Sequence, residues 1–145
     1  MVKDTSIEKE EKTKKSRKAG SGSARKKTIE VTDAGRIYVM ATFNNTLITI
    51  TNSKGDTIGW SSSGAAGFKG TRKSTPYSAS LAVEAVARRA MEKGLKSVDV
   101  FIKGPGPGRD SSLRAIRSVG LSITSISDIT PVPHNGPRPK KKRRV

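Results

Sequence analysis

Two basic, apolar-poor ends confine any folded core of this chain to the stretch between Thr28 and Thr130. Residues 1–27 hold ten Lys/Arg against four Asp/Glu, and residues 131–145 hold six and no acid, ending PRPKKKRRV. Each end thus carries a net +6 of the chain's +17. Segments so charged, with Ile7 almost the only large apolar residue after Val2, bury too little surface to offset their ordering entropy and are expected to be disordered in isolation. The stretch between them is long enough for one domain, since chains of about 100 residues bury roughly 60–70% of their unfolded surface. A chain repelling itself this strongly needs a polyanion, and basic arms on a folded body are the pattern of nucleic-acid binders. The competing reading is a merely soluble basic protein with solvated tails.

Cysteine is absent, which removes disulfides, cysteine-ligated zinc and thiol catalysis together. No apolar run approaches the roughly 20 residues of a membrane span, and the amino end lacks the apolar core of a secretory signal. Asp4, Glu8, Glu10 and Glu11 are out of keeping with an organellar transit peptide, which is acid-poor. The expected setting is the cytosol, with no membrane contact.

Within the middle, structural signals follow one another closely. RIYVMATF at 36–43 is rich in β-branched and aromatic residues and predicts a strand. Asn44-Asn45 supplies turn chemistry. TLITIT at 46–51 alternates as a half-buried strand does, and Asn52-Ser53-Lys54-Gly55 turns the chain into a third strand over 57–61. Three strands joined so tightly predict an antiparallel meander. After a Gly/Ser-rich loop, Thr75 and Pro76 mark a helix as N-cap and first helical residue. Ala79, Val83, Val86 and Ala90 share one face of it, and Gly94 is the stop. SVDVFIK at 97–103 predicts a fourth strand, a short helix follows over 109–119 and ends at Gly120, and LSITSISDI at 121–129 alternates as a fifth strand. The order β-β-β-α-β-α-β implies an α/β fold: one domain over 28–130, a mixed five-stranded sheet with two helices packed on it, between basic disordered tails at 1–27 and 131–145.

Reactive constellations are thin. Gly67-Phe-Lys-Gly-Thr-Arg72-Lys73-Ser74 nearly matches a nucleotide-binding P-loop, but Arg72 stands where the pattern needs a second glycine for backbone N–H groups to wrap a phosphate. What remains is Lys69, Arg72 and Lys73 beside a helix N-terminus, a good site for backbone phosphates. Gly104-Pro-Gly-Pro-Gly108-Arg109 sits between strand and helix like a dinucleotide turn, yet Pro105 and Pro107 delete two N–H donors. It reads as a rigid turn presenting Arg109 and a helix N-terminus outward, while Arg114 and Arg117 share a basic helix face. The one histidine, His134, lies in a Pro-rich tail, and the first strand has no carboxylate with which to hold a metal. No cofactor, metal or small-molecule substrate is expected. Trp60, Phe68 and Tyr77 can stack on bases, although the core has a prior claim on some of so few aromatics. Asn44-Asn45-Thr46 matches a glycosylation acceptor and PKKKRRV a nuclear address, but neither stands without further context. In Asn135-Gly136 the glycine leaves its amide nitrogen unhindered, so Asn135 can cyclise to a succinimide and yield isoaspartate.

FNNT at 43–46, GWSSSGAAGFKGTRKSTPYSA at 59–79, GPGPGR at 104–109 and VPHNG with its basic ending together resemble the small-subunit ribosomal protein 11 family of bacteria, in order over about residues 28–145. One departure is visible: the family's usual Cys and paired Pro after HNG are here Pro137-Arg138-Pro139. The resemblance implies a ribonuclease-H-like fold without ribonuclease activity. It implies a cytoplasmic protein of the ribosome, on the small-subunit platform, bridging rRNA helices and helping to form the Shine–Dalgarno cleft for mRNA. It implies ribosomal proteins 7 and 18 and the third initiation factor as neighbours. The rRNA-facing residues it implies are Asn44, Asn45, Thr46, Lys54, Ser61, Ser62, Ser63, Gly64, Phe68, Lys69, Gly70, Arg72, Lys73, Arg109, His134, Asn135, Arg138, Lys140, Lys141, Lys142, Arg143 and Arg144. To these the helix-face reading adds Arg114 and Arg117. Asn135 falls on the family's isoaspartate position. A metal-dependent nuclease on a related fold and a nuclear or chromatin protein are the alternatives.

Overall fold

The computed structural model describes residues 32–138, 140 and 141. The expected start of folding at Thr28, the tail 1–27, and Lys142, Arg143 and Arg144 lie outside them. Strands β1 (Ala34–Ala41), β2 (Thr46–Asn52) and β3 (Thr57–Ser62) form the predicted antiparallel meander, followed by a short 3-10 turn at Gly70–Ser74. Then come helix α1 (Pro76–Glu92), β4 (Ser97–Lys103), helix α2 (Gly108–Val119) and β5 (Ser122–Asp128). β4 pairs with β1 and β5 with β4, both in parallel, so the sheet order is β3-β2-β1-β4-β5. This is the mixed sheet of a ribonuclease-H-like fold.

Period-two alternation settles which face is covered. Ile37 and Val39, Ile48 and Ile50, and Val98, Val100 and Ile102 all point to one side and are buried. α1 and α2 pack on that side and against each other. Ala79, Val83, Val86 and Ala90 are buried as the helical period requires, with Ala82 and Ala87 beside them. Alanine at so many of these positions lets α1 lie close to its neighbours. From α2, Ile116 is fully buried and Leu113 packs at the core's margin.

Caps and turns follow local chemistry. Thr75 Oγ1 accepts from the Ser78 amide at 3.3 Å, and Pro76 opens α1. The first strand ends two residues earlier than its composition suggests. Thr42 leaves the ladder to close the β1–β2 turn, its amide and Oγ1 both donating to the Asn45 carbonyl at 2.9 and 2.8 Å. Among the described residues the core contains no aromatic side chain. The prior claim of the core on Trp60, Phe68 and Tyr77 is therefore not exercised: Trp60 and Tyr77 are 65% and 66% exposed and Phe68 is half-buried.

Candidate nucleic-acid interface

The topology collects distant motifs at one end of the sheet. The carboxyl ends of β1, β3 and β4 and the amino ends of β2, α1 and α2 meet there. This brings together the Asn44-Asn45 turn, the 61–74 loop, the GPGPG turn and the chain leaving β5. Ser63 N donates to the Thr46 carbonyl at 3.1 Å, and Gly106 N to the Ala41 carbonyl at 3.0 Å, stitching the segments to the strand ends.

Three of the predicted residues make a compact cationic group. Lys69 and Arg72 are exposed and Lys73 half-buried, on or beside the 3-10 turn that leads into α1. None of the three makes an ion pair among the described residues. Lys69 and Arg72, with Ala66, Gly67 and Phe68, line an open cavity of about 460 Å³. The first turn of α1 carries no acidic side chain, so its N-terminal partial positive charge is not internally compensated. Phe68 packs edge-on against Tyr77, ring centroids 6.1 Å apart. Tyr77 is thus a neighbour of the site that the sequence reading left out of its rRNA-facing set; its position in the first turn of a helix following a Gly-rich loop was the available signal.

Farther along α2, Arg114 and Arg117 are exposed and, with Asp110 and Leu113, border a second open groove of about 270 Å³. His134, Asn135, Arg138, Lys140 and Lys141 are exposed beyond β5. Asn135 has φ +53, the only non-glycine residue with positive φ among those described, a region asparagine tolerates. Asn44 is exposed in its turn.

Other predicted residues take different positions. Ser61, Ser62 and Ser63 are buried, because the loop folds over them. Ser62 Oγ accepts from the Ala65 amide at 3.0 Å and the Ser63 carbonyl from the Phe68 amide at 3.3 Å, so these residues shape the loop from inside. Thr46 is buried as well. Lys54 lies at the far end of the β2–β3 hairpin, roughly 17 Å away by strand rise. The structure does not bring it to the others.

The expectation that the GPGPG turn presents Arg109 and a helix N-terminus outward is corrected. Arg109 Nη2 donates to Asp128 Oδ2 at 2.5 Å, clamping the start of α2 to the end of β5. That hydrogen bond and charge raise the guanidinium's pKa and, with two hydrogen bonds from Thr130, hold the Asp128 carboxyl well below the usual carboxylate range. Gly108 is buried: a Cβ there would overlap Thr46 Oγ1 and stand 2.9 Å from Ala79 Cβ. The α2 N-terminus is a packing junction.

Most acids sit elsewhere. Of the seven acids among the described residues, Asp33, Asp56 and Glu92 fall at the opposite end of the sheet and α1, Asp99 near the start of β4 and Glu84 midway along α1, leaving Asp128, already paired, and Asp110 near the cationic end. Among the described residues no three His, Asp or Glu side chains come together to hold a metal ion. An end with unpaired cations, an open helix N-terminus and an accessible aromatic pair suits the backbone and unpaired bases of a polyanion. The class it defines is a nucleic-acid-binding α/β protein.

Residues 35–144 match the family described as Ribosomal protein S11. The chain is 54% identical over 127 residues to the small ribosomal subunit protein uS11 of Bordetella avium, covering 88% of this chain and 96% of the relative. It is 57% identical over 121 residues to that of Paracidovorax citrulli, covering 83% and 90%. With that of Halorhodospira halophila the figures are 55% over 124 residues, 86% and 95%. The chain belongs to this family. It is a structural, non-enzymatic constituent of the small ribosomal subunit, cytoplasmic as part of the ribosome, with rRNA and ribosomal proteins as partners.

Proposed function

We propose that this protein bridges rRNA helices on the platform of the small subunit and helps to form the Shine–Dalgarno cleft through which mRNA is held. Its body spans residues 28–130 and its ends, 1–27 and 131–145, act as basic arms. The observation that carries this reading is the meeting of Lys69, Arg72 and Lys73 with the α1 N-terminus at the end of the sheet from which the basic C-terminal arm also leaves. A folded end that neutralises one RNA segment and an arm that reaches another make a bridge rather than a single contact. Asn44, Asn45, Phe68, Gly64 and Gly70 border this surface, with Ser61, Ser62, Ser63, Thr46 and Arg109 holding its shape, and Arg114 and Arg117 offer a second basic groove farther along α2. His134, Asn135, Arg138 and Lys140 to Arg144 form the arm. Ribosomal proteins 7 and 18 and the third initiation factor are the proposed protein neighbours.

Two measurements test the reading. Removing residues 131–145 should weaken binding to small-subunit rRNA and remove protection from one of two rRNA regions in a hydroxyl-radical footprint. An unchanged footprint would refute bridging. Subunits assembled without the protein should lose cross-links between the platform and mRNA nucleotides upstream of the start codon; retention of those cross-links would refute a role in the cleft.

A further inference from the structure

The side of the sheet that the helices leave uncovered carries an apolar surface unlike the cationic end. Met40 and Leu47 are cross-strand partners and 40% and 41% exposed. Tyr38 and Phe101 stack beside them, centroids 5.2 Å apart. At the carboxyl ends of β1 and β4 this surface dips into a cleft of about 350 Å³, lined chiefly by Met40, Phe43, Pro105 and Pro131, with Thr130 and Lys103 at its edge. Phe43 is 69% exposed.

The polar groups around the cleft are already used within the chain. The Thr42 amide donates to the Asn45 carbonyl, the Gly104 amide to Thr130 Oγ1 at 3.0 Å, and Thr130 Oγ1 to Asp128. Little is left to read a base edge or hold a phosphate, as a nucleic-acid site requires. Lys103 is the one charge on the lining, and among the described residues it has no ion-pair partner.

We infer that this cleft is a protein-docking site, taking a segment that inserts one large apolar side chain and sets a carboxylate against Lys103. A concave apolar pocket with a charged rim is what an anchor residue of an interface fills, and the lysine selects an acidic neighbour for that anchor. The cleft adjoins the Asn44-Asn45 turn and takes Pro131 from the start of the C-terminal arm, but it opens on the sheet face opposite α1 and shares no residue with the Lys69, Arg72 and Lys73 group.

The test uses the full-length protein in two settings: rRNA alone, and rRNA with the other small-subunit proteins, in competition with isotope-labelled parent. Met40→Gln preserves charge and strand geometry, and Lys103→Glu reverses the rim. Each should match the parent on rRNA alone, after correction of Lys103→Glu for its charge with a Lys96→Glu control, and lose about fivefold or more in incorporation once the other proteins are present. Equal losses in both settings would show that the cleft contacts RNA, and no loss in either would show that it stays open; either result overturns the inference. Thermal melts identify a variant that fails to fold. A photoreactive benzophenone side chain at position 40, on the uncovered face of the sheet, then decides independently: a mapped adduct with a ribosomal protein beside an acidic residue supports docking, whereas an adduct with RNA, or none, overturns it.

Discussion

Gly108→Ala tests whether the junction beneath the RNA-binding end is as tightly packed as the geometry indicates. The added methyl would overlap Thr46 Oγ1 and reach 2.9 Å from Ala79 Cβ. Neither neighbour can yield easily, since Thr46 is 2% exposed and Ala79 is wholly buried in α1. Overpacking of this kind costs about 1–3 kcal/mol, and contact on two sides places the cost near the top of that range. Alanine recovers at most about 1 kcal/mol from its better helix propensity. The net loss should be about 2 kcal/mol, which for a domain of this size is roughly 8–16 °C in Tm. Urea and thermal denaturation of the full-length protein, without RNA, measure it directly. Thr46→Ala in the same chain should restore part of the loss, a non-additivity expected only if the two side chains collide. A Gly108→Ala protein within about 0.5 kcal/mol of the parent would refute the close-packed junction.

Three further outcomes follow from the same geometry. Gly67→Ala should lose about 1–2 kcal/mol of stability without RNA because Gly67 has φ +94, whereas Gly64→Ala, whose Cβ would rest 3.5 Å from Lys73 Cδ, should keep stability and lose rRNA affinity in filter binding; an equal stability loss in both would contradict this. The lowered pKa of Asp128 makes its ion pair with Arg109 stabilising above the ordinary aspartate value of about 3.9 and progressively less so as pH falls from there. The parent should therefore exceed Asp128→Asn in urea midpoint equally at pH 7 and 5 and lose that advantage in more acidic buffer, and a difference growing on acidification would reverse the sign. Exposed Asn135, followed by Gly136 with open space around it, should yield isoaspartate on peptide mapping of native protein, and an unmodified Asn-Gly linkage would remove that expectation.

Much of the fold was legible because its signals are local. The alternation in TLITIT, the Thr75-Pro76 start of α1 and the Ala/Val stripe behind it each specify one element, and strand spacing then dictated the sheet. The site was legible where charge and glycine meet a helix start, at Lys69, Arg72 and Lys73. It was not legible where the answer depended on partners far along the chain. Arg109 reads as an exposed cation until the β4–α2–β5 crossover sets it beside Asp128, 19 residues on. Ser61, Ser62 and Ser63 read as a polar surface, yet the loop returns over them, its amides pairing with Ser62 Oγ and with the Ser62 and Ser63 carbonyls, while Ser63 Oγ is buried without a hydrogen-bond partner among the described residues. The free aromatics follow from a core small enough to be filled by Ile, Val, Leu and Ala alone.

The salt dependence of rRNA binding tests the electrostatic claim most directly, provided that two variants of equal net charge are compared. One replaces Lys69, Arg72 and Lys73 with Gln; the other replaces Arg88, Arg89 and Lys96, exposed cations away from the cationic end, with Gln. Each phosphate contact contributes about 0.7–0.9 to the slope of log K against log salt. The first variant should lower that slope by about 2–3, and the second should leave it near the parent's. Equal slopes in the two variants would mean that net charge alone holds the RNA, and that the end of the sheet where these motifs converge is not the binding surface.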